Sequence, residues 1–428
     1  MQKKVYLCGR MKQKALHLIY IICACAMVFV PVSCYDEEEL PGPGKPGEML
    51  TTTFIFYIAG ENSLYNYMTL DTTEVSRAVS QIPPDARVVL FLDDNRSTTI
   101  SVATRETPLQ CVHTYSEDIC STDSATMLSV LSHIVETYPA HHYSLALNSH
   151  ASGWVFQYTG VASTQRRSWG IDNGRRATDN YGRRMNIPTL AHVLEQLPHF
   201  DFILFDACFM QCIEVAYELR HVTDYVIASP AEIPGHGAPY QSMLPLLCQQ
   251  PVNDQLIRDL VHTYGDFYET GNGALRYGGV ELSAVSTAQL EAFAAASRPL
   301  ITQLFANRTE QDCSEVQRYC PIRTSSSYAE FFDFGHLIYT LLPSEYPAWH
   351  DALEQVLPAR HVTKYWLSSF GTFGQNYLHY ETIPEETQPY CSALSVFVPF
   401  ARYYEMGWLS DYQHLEWYHA SGLSQTGW

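Results

Sequence analysis

Phe202-Ile-Leu-Phe-Asp-Ala-Cys208 is an apolar run that passes into a turn carrying a thiol. Aliphatic and aromatic residues in a short run bounded by polar ones are typical of a buried strand. A second run has the same form, because Tyr143 to Leu147 leads directly into Asn148-Ser149-His150. Two predicted strands therefore each end in a chemically reactive side chain.

Segments with strand character and segments with helical character alternate along the chain. Further strands are predicted at Thr53 to Ala59, Arg87 to Leu92 and Tyr225 to Ala228. The spacing of apolar residues predicts helices at Leu64 to Val79, Ser124 to Thr137, Pro188 to Leu197, Met210 to Leu219 and Tyr346 to Leu357. This alternation predicts an α/β fold with a mostly parallel sheet covered on both faces. In such sheets the ligand crevice lies beyond the carboxyl ends of the strands.

His150 and Cys208 are predicted to meet in that crevice as acid/base partner and nucleophile. A free thiol has a pKa of about 8.5, and a nearby imidazole shifts it toward the thiolate. The backbone N–H groups of Ala151 and Cys208 are expected to hold an oxyanion. A helix that starts near Met210 is expected to favour the thiolate through its dipole. Cysteines that follow strands are often inert buried hydrophobes, so the residues alone leave both interpretations open.

The composition excludes one class of partner and limits the domain organisation. The chain has 26 Lys and Arg residues against 45 Asp and Glu residues, and its net charge of −19 repels phosphate backbones. Nucleic acid is therefore not an expected partner. A chain of 428 residues exceeds the usual size of a single core, so we predict a catalytic domain at 51–340 and a C-terminal accessory region at 341–428.

The N-terminus has the features of an export signal. Basic residues precede the apolar run Leu18 to Val30, which is too short to span a bilayer comfortably, and residues 1–34 are predicted to be a signal peptide. It ends in Pro-Val-Ser-Cys34, which resembles the lipobox of bacterial lipoproteins, whose cysteine is acylated. The acidic residues that follow are similar to surface-export signals of Bacteroidetes lipoproteins. We therefore expect an outer-membrane lipoprotein of the cell envelope that faces the medium, on a flexible linker at 35–50; a cleaved secretory peptide is the alternative.

Cysteine spacing gives no sign of a metal or disulfide framework. Eight of the twelve cysteines lie beyond the leader without a CxxC pair, which argues against structural zinc. The spacing does not decide whether disulfide bonds join Cys111 to Cys120 and Cys313 to Cys320. No metal site and no cofactor is expected, because the sequence has no EF-hand loop and Asp93-Asp94-Asn95 is too short to define a calcium site.

Five segments form a combination that is more specific than any one of them. They are Tyr57 to Asn62, Ser149 to Trp154, Leu204 to Leu219, Ser229 to Tyr240 and Ala393 to Pro399. Together they resemble the clostripain family of cysteine peptidases over nearly the whole chain after the linker. The resemblance implies a caspase-haemoglobinase-like αβα sandwich and a catalytic dyad of His150 and Cys208.

The resemblance also implies the substrate and a maturation step. Family members cleave peptide bonds after Arg or Lys, and Asp206 matches the aspartate at the base of their S1 pocket; a carboxylate that caps the following turn is the alternative. Glu232 is a candidate second acid in the substrate-binding loop. Relatives cut themselves between the histidine and the cysteine, which makes four arginines in an expected exposed loop candidate processing sites: Arg166, Arg167, Arg175 and Arg176. Calcium is possible by resemblance only.

The sequence departs from the family at two positions that are commonly glycine, Ala151 and Gln211, which leaves catalytic efficiency open. Cys212 is expected in the helix one turn beyond Cys208. The sequence thus predicts an exported cysteine endopeptidase that acts on protein or peptide substrates with a basic residue before the scissile bond. The alternative is a catalytically silent surface lipoprotein that binds peptides or glycans.

Overall fold

The computed structural model describes residues 45–155, 168–175, 183–270, 279–319, 331–368, 379–405 and 407–428, which fold as one compact unit. The strands are β1 Leu50–Ala59, β2 Ala86–Asp93, β3 Thr98–Thr104, β4 Gln110–Tyr115, β5 Ala140–Asn148, β6 Trp169–Asp172, β7 Arg183–Met185, β8 Phe200–Asp206, β9 Thr223–Ala228, β10 Leu282–Ser286, β11 Phe331–Asp333, β12 Ala359–His361, β13 Tyr365–Ser368, β14 His379–Thr382 and β15 Ser395–Phe397.

The described α-helices fall between and after these strands. They are α1 Tyr65–Ala78, α2 Ser124–Thr137, α3 Ile187–Leu194, α4 Ile213–Glu218, α5 Tyr240–Leu247, α6 Asp254–Glu269, α7 Leu290–Phe305, α8 Phe334–Leu341, α9 Tyr346–Val356, α10 Ala401–Glu405, α11 Trp408–Tyr412 and α12 Glu416–Ala420. Short 3₁₀ turns occur at Val79–Gln81, Thr287–Gln289, Ala306–Arg308, Gln388–Tyr390 and Leu423–Gln425. No helix among the described residues is both long and apolar enough to cross a bilayer.

A nine-stranded sheet in the order β12-β10-β9-β8-β5-β1-β2-β3-β4 organises the described residues. The five central strands, β9 to β2 in that order, run parallel to one another, and the outer strands are antiparallel. The predicted mostly parallel sheet is therefore confirmed. Strands β5 and β8 are neighbours, as the site requires.

Helices cover both faces of the sheet, because the side chains of the central strands alternate between two cores. Phe54 and Phe56 of β1 pack with apolar residues of α1, α5 and α6. Ile55 and Tyr57 belong to the opposite core with α2, α3, α4 and α7. The predicted αβα sandwich follows from this period-two alternation in a strand that is buried on both faces.

Residues of the C-terminal region pack into the second of these cores. Trp417 of α12 lies 6.4 Å from the ring of Phe293 and 6.2 Å from that of Phe334, measured between centroids. Phe397 of β15 contacts Trp154, with centroids 5.0 Å apart. Aromatic side chains from Phe397 onward therefore cover the same face of the sheet as α2 and α7.

One predicted helix begins later than expected. The helix predicted at Met210 to Leu219 is α4, which starts at Ile213. The preceding backbone is engaged elsewhere, since the Gln211 N–H donates to the Ser229 carbonyl at 2.9 Å and the Gln211 carbonyl accepts from the Ser395 N–H at 2.9 Å. The helix therefore begins five residues after Cys208, and the expected helix N-terminus near Met210 is wrong.

Candidate active site

Two neighbouring strand ends bring the predicted site residues to one edge of the sheet. In the parallel pair of β5 and β8, Asn148 lies opposite Asp206. His150 and Cys208 each follow two residues beyond this pair. Since neighbouring strands lie about 4.8 Å apart, equal offsets place both residues at the same carboxyl edge.

Hydrogen bonds of Ser149 fix the loop that carries His150. The buried Ser149 hydroxyl donates to the Ala59 carbonyl at 2.8 Å and accepts from the Ile171 N–H at 3.1 Å. The His150 carbonyl accepts from the Gly170 N–H at 2.9 Å. The histidine loop is thus held between the end of β1 and strand β6.

Ser63 contacts the His150 side chain directly. Its hydroxyl oxygen lies 2.8 Å from His150 Nε2, which is hydrogen-bonding distance. An imidazole that uses Nε2 for this contact keeps Nδ1 as its other hydrogen-bonding nitrogen. The sequence motif Tyr57 to Asn62 stops one residue short of Ser63, and the contact spans 87 positions in sequence. Sequence reasoning therefore misses it.

Cys208 lies in a tight turn with an unusual backbone. The next residue, Phe209, has a φ of 61°, in the left-handed region that non-glycine residues seldom adopt. The Phe209 N–H donates to the Ala231 carbonyl at 2.9 Å, which ties the turn to the loop after β9. In the same loop, the Ile233 N–H donates to Cys208 Sγ at 3.4 Å. A donor at the sulfur stabilises the thiolate form.

The backbone of Ala151, a predicted oxyanion-hole residue, pairs with strand β6. Ala151 forms an isolated bridge with Trp169, but the two hydrogen bonds of that bridge are made by Ser152 and by His150. The bridge therefore does not use the Ala151 N–H. Ala151 is also absent from the described non-glycine residues with positive φ, so alanine adopts this backbone without the strain that would require glycine.

Asp206 is enclosed by hydrogen-bond donors at the end of β8. Its Oδ2 accepts from Asn148 Nδ2 at 3.2 Å, the Ala238 N–H at 3.0 Å and the Tyr240 hydroxyl at 2.9 Å. Its Oδ1 accepts from the Tyr264 hydroxyl at 3.0 Å. Burial raises the pKa of Asp206 above its usual value, and these hydrogen bonds oppose that shift. All four donors lie on other segments, whereas a carboxylate that caps its own turn accepts from amides two or three residues onward.

A second buried carboxylate, Asp71, lies near Asp206. Burial, and then the negative charge of Asp206, raise the pKa of Asp71 well above its usual value. Asp71 shares the buried face of α1 with Met68 and Val75. An acid at an apolar position of an amphipathic helix is the sequence signal that identifies it. Two neighbouring buried acids make this region favourable for a cationic group.

The other predicted site residues are Glu232, the processing candidates and the lipidation candidate. Glu232 is buried in the loop after β9, and its backbone pairs with Leu367. Arg175 is not on an exposed loop, because its guanidinium Nε lies 3.3 Å from Glu61 Oε1 and its side chain is 22% exposed. Residues outside the described part of the chain include three processing candidates and the lipidation candidate: Arg166, Arg167, Arg176 and Cys34.

Gln211 and Cys212, which follow Cys208 closely in sequence, are both buried. Gln211 is buried, and its side-chain Nε2 donates to Ser283 Oγ at 2.9 Å. Cys212 is the buried N-cap residue of α4 rather than part of a helix shared with Cys208, and burial raises the pKa of its thiol well above the usual value. Cys111 and Cys120 are free thiols, and Cys320 lies outside the described residues.

Comparisons with known proteins agree with this architecture. The model of the clostripain family matches residues 56–426. A secreted C11 cysteine protease from Bacteroides thetaiotaomicron, solved with an irreversible peptide inhibitor, is 26% identical with a TM-score of 0.70, over 88% of this chain and 99% of that chain. An inactive zymogen C11 protease from Parabacteroides distasonis is 24% identical with a TM-score of 0.70, over 87% and 98% of the two chains.

A second secreted C11 cysteine protease from Bacteroides thetaiotaomicron, iotapain, is 19% identical with a TM-score of 0.68, over 87% of this chain and 99% of that chain. No curated protein sequence matches the chain. The structural matches confirm the predicted caspase-like αβα fold.

Proposed function

The chain belongs to the clostripain family of cysteine peptidases, and from this premise we propose that it is an endopeptidase that cleaves after Arg or Lys with Cys208 as nucleophile and His150 as acid/base. The observation that carries the proposal is the pairing of Asn148 with Asp206 on adjacent parallel strands. This register supports the proposal that the His150 imidazole, the Cys208 thiol and the Asp206 carboxylate share one crevice.

The proposed reaction uses groups of this chain in two steps. The Cys208 sulfur attacks the scissile carbonyl carbon while its proton passes to His150, which then protonates the leaving amine and leaves a thioester. Water, deprotonated by His150, attacks the thioester carbonyl and releases the carboxylic acid and the thiol. The Ala151 and Cys208 N–H groups hold the oxyanion in both steps.

Selectivity for basic residues is proposed to come from Asp206. A guanidinium or ammonium that reaches a buried carboxylate forms a charge-assisted contact that a neutral side chain cannot replace. Asp71 adds a second acid nearby, which supports a preference for cations. The proposed role of Glu232, as a further acid in the substrate-side loop, rests on its place in the sequence motif.

The substitution Asp206→Asn tests the selectivity. It keeps the shape of the side chain and removes its charge, so kcat/KM for peptides with Arg before the scissile bond should fall by about a hundredfold, the size of a lost buried charge contact. Asp201→Asn, on the same strand β8 at its opposite end, is the matched control and should leave kcat/KM unchanged. Full retention of the Arg preference in Asp206→Asn would contradict the proposed role.

Export and maturation complete the proposal. We propose acylation at Cys34, an outer-membrane location facing the medium, and self-cleavage between His150 and Cys208. The description of similar proteases as secreted supports the export step. Incorporation of labelled palmitate that is lost in Cys34→Ala tests the anchor; incorporation that persists in Cys34→Ala would contradict it.

A further inference from the structure

A histidine of the edge strand β12 lies against one stripe of helix α6. His262, Gly265, Asp266 and Glu269 occupy positions i, i+3, i+4 and i+7 of the helix, so they follow one another along the same face. His361 of β12 packs onto this stripe at Gly265, where a Cβ would lie 2.3 Å from the imidazole Cγ. A glycine inside a helix costs about 1 kcal/mol, and here it leaves room for the imidazole ring.

Atoms of the kind that bind metal ions converge beside this ring. One carboxylate oxygen of Asp266, one of Glu269 and one ring nitrogen of His361 all lie within 4.8 Å of one another. His361 is only 7% exposed, whereas both acids are exposed. The buried imidazole therefore meets two carboxylates at a place that an ion can reach from the solvent.

The Nε2 atom of His361 is buried and forms no hydrogen bond within the described part of the chain. It lies 3.1 Å from Glu269 Oε2, but the two atoms lack the alignment of a hydrogen bond. This arrangement is expected of two ligands of one ion, since atoms held at about 2.0 Å from a tetrahedral Zn²⁺ are about 3.3 Å apart. A buried ring nitrogen without a partner is otherwise unfavourable.

We propose that Asp266, Glu269 and His361 bind one Zn²⁺ ion, and that His262 becomes the fourth ligand by rotation of its exposed side chain. Imidazole and carboxylate groups are ligands of zinc, whereas Ca²⁺ takes oxygen ligands alone. The ring of His262 lies 5.8 Å from that of His361, measured between centroids. Four protein ligands close the coordination sphere, so the ion has a structural role.

The proposed ion joins β12 to a helix that also contacts the proposed specificity pocket. Tyr264 and Tyr268 lie on the buried face of α6. The Tyr264 hydroxyl donates to Asp206 Oδ1 at 3.0 Å, and the Tyr268 hydroxyl donates to the Gly237 carbonyl at 2.6 Å. An ion that binds only the folded chain stabilises the helix in the position from which these hydroxyls reach the pocket.

Calorimetric titration of Zn²⁺ into the full-length Cys208→Ala chain tests the site. This chain has no peptidase activity and lacks the proposed nucleophile as a competing ligand, so the result is independent of the proposed function. We expect one ion bound at this site. Glu269→Gln and His361→Gln should each weaken binding by at least about tenfold, because each removes a ligand. An excess of Ca²⁺ should not displace the Zn²⁺.

The matched control is Glu354→Gln, because Glu354 Oε1 lies 3.2 Å from His350 Nε2 in an ion pair outside the groups of three ligand residues found in the described structure. Its affinity for Zn²⁺ should equal that of the parent. Thermal unfolding in EDTA shows that each variant is folded, and Zn²⁺ should raise the midpoint of the parent but not of Glu269→Gln, whose substitution is at an exposed position. Absence of Zn²⁺ binding by the parent, or equal affinity of the parent and Glu269→Gln, would overturn the proposal.

Discussion

At the scale of single residues, hydrogen bonds fix the orientation of the side chains that form the proposed site. Asp206 receives four donors, and His150 contacts Ser63. Hydrogen-bond partners of this kind hold side chains in a single orientation. This lowers the entropic part of the activation barrier, because less orientational freedom is lost on reaching the transition state. Ser63 is therefore a positioning residue for His150 in the proposed mechanism.

Ser63→Ala is predicted to lower kcat against a basic peptide about tenfold, the effect of losing one hydrogen bond of about 1.4 kcal/mol, with KM nearly constant. The acid limb of the pH profile should shift, because the imidazole loses a partner, and Ser63→Thr should restore activity. Ser76→Ala, an exposed serine on α1 whose hydroxyl bonds Thr72, is the control. An unchanged pH profile in Ser63→Ala would refute the positioning role.

The sequence places Cys208 and His150 after apolar strands, and the resemblance to the clostripain family then predicts them as the dyad. The sequence does not predict the contact of Ser63 with His150 or the grouping of Glu61 with Asp172, because these contacts join residues far apart in the chain. Their residue types are common on surfaces. Only the paired strands and the loops between them show which of these polar side chains are brought into the interior.

At the scale of elements, the loop after β9 packs against Asp206, the proposed specificity carboxylate. Gly237 has a φ of +69°, and a Cβ there would lie 2.5 Å from Asp206 Oδ2. The Asp206 side chain cannot move aside cheaply, since four donors hold it. The loop after β9 and the carboxyl end of β8 therefore hold each other in position.

Gly237→Ala is predicted to raise KM for basic peptides at least about tenfold, because the added methyl displaces the carboxylate from its position. Gly407→Ala is a matched control, since Gly407 has a φ of +76° and no atom within 4 Å of the added Cβ. Both variants carry a backbone penalty of about 1 kcal/mol. Equal KM values for the two variants would show that the clash with Asp206 has no effect on substrate.

The central strands were predictable and the edge strands were not. The five parallel strands are continuous apolar runs, whereas β4 is exposed along nearly its whole length and β12 has three residues. Short or exposed strands lack the apolar pattern that identifies a buried strand. The start of α4 was also missed, because the backbone of Gln211 bonds to distant segments.

Helix α4 and strand β15 meet through a buried acid. Glu214 Oε1 accepts from the Phe397 N–H at 2.9 Å and from the Tyr412 hydroxyl at 2.7 Å. Burial raises the pKa of Glu214 from 4.5 to about 7. Since the folded chain binds this proton more tightly than the unfolded chain, the stabilisation is complete below pH 4.5 and is lost as the pH rises through about 7.

Glu214→Gln, in the Cys208→Ala chain, is predicted to increase the free energy of unfolding at pH 8 by on the order of 2 kcal/mol and to change it little at pH 4.5. The amide keeps an acceptor for both donors and carries no buried charge. Urea unfolding at the two pH values measures the difference. The exposed Glu136→Gln is the control, and an identical pH dependence of Glu214→Gln and its parent would contradict the account.

At the scale of the whole molecule, the described residues form one compact unit. The two halves of the proposed site lie on one sheet, and the segment between His150 and Cys208 contains β6, β7, α3 and β8. A cut in that segment therefore leaves both fragments anchored in the same sheet.

Self-processing is predicted to divide the wild-type chain into two fragments between Arg166 and Ala177, while Cys208→Ala remains in one piece. Denaturing electrophoresis with N-terminal sequencing of the fragments measures this. A single intact chain in both proteins, or the same cut in both, would rule out processing by Cys208.

The most direct measurement is labelling with an acyloxymethyl ketone that carries Arg or Lys next to the reactive group, followed by mass spectrometry of the adduct. We predict a thioether at Cys208, formed as the thiolate displaces the carboxylate of the probe. No adduct is expected in Cys208→Ala, little in His150→Ala, and much weaker labelling by the probe with Asp. A wild-type chain that stays unlabelled, or is labelled at another cysteine, would contradict the account and favour a silent binding protein.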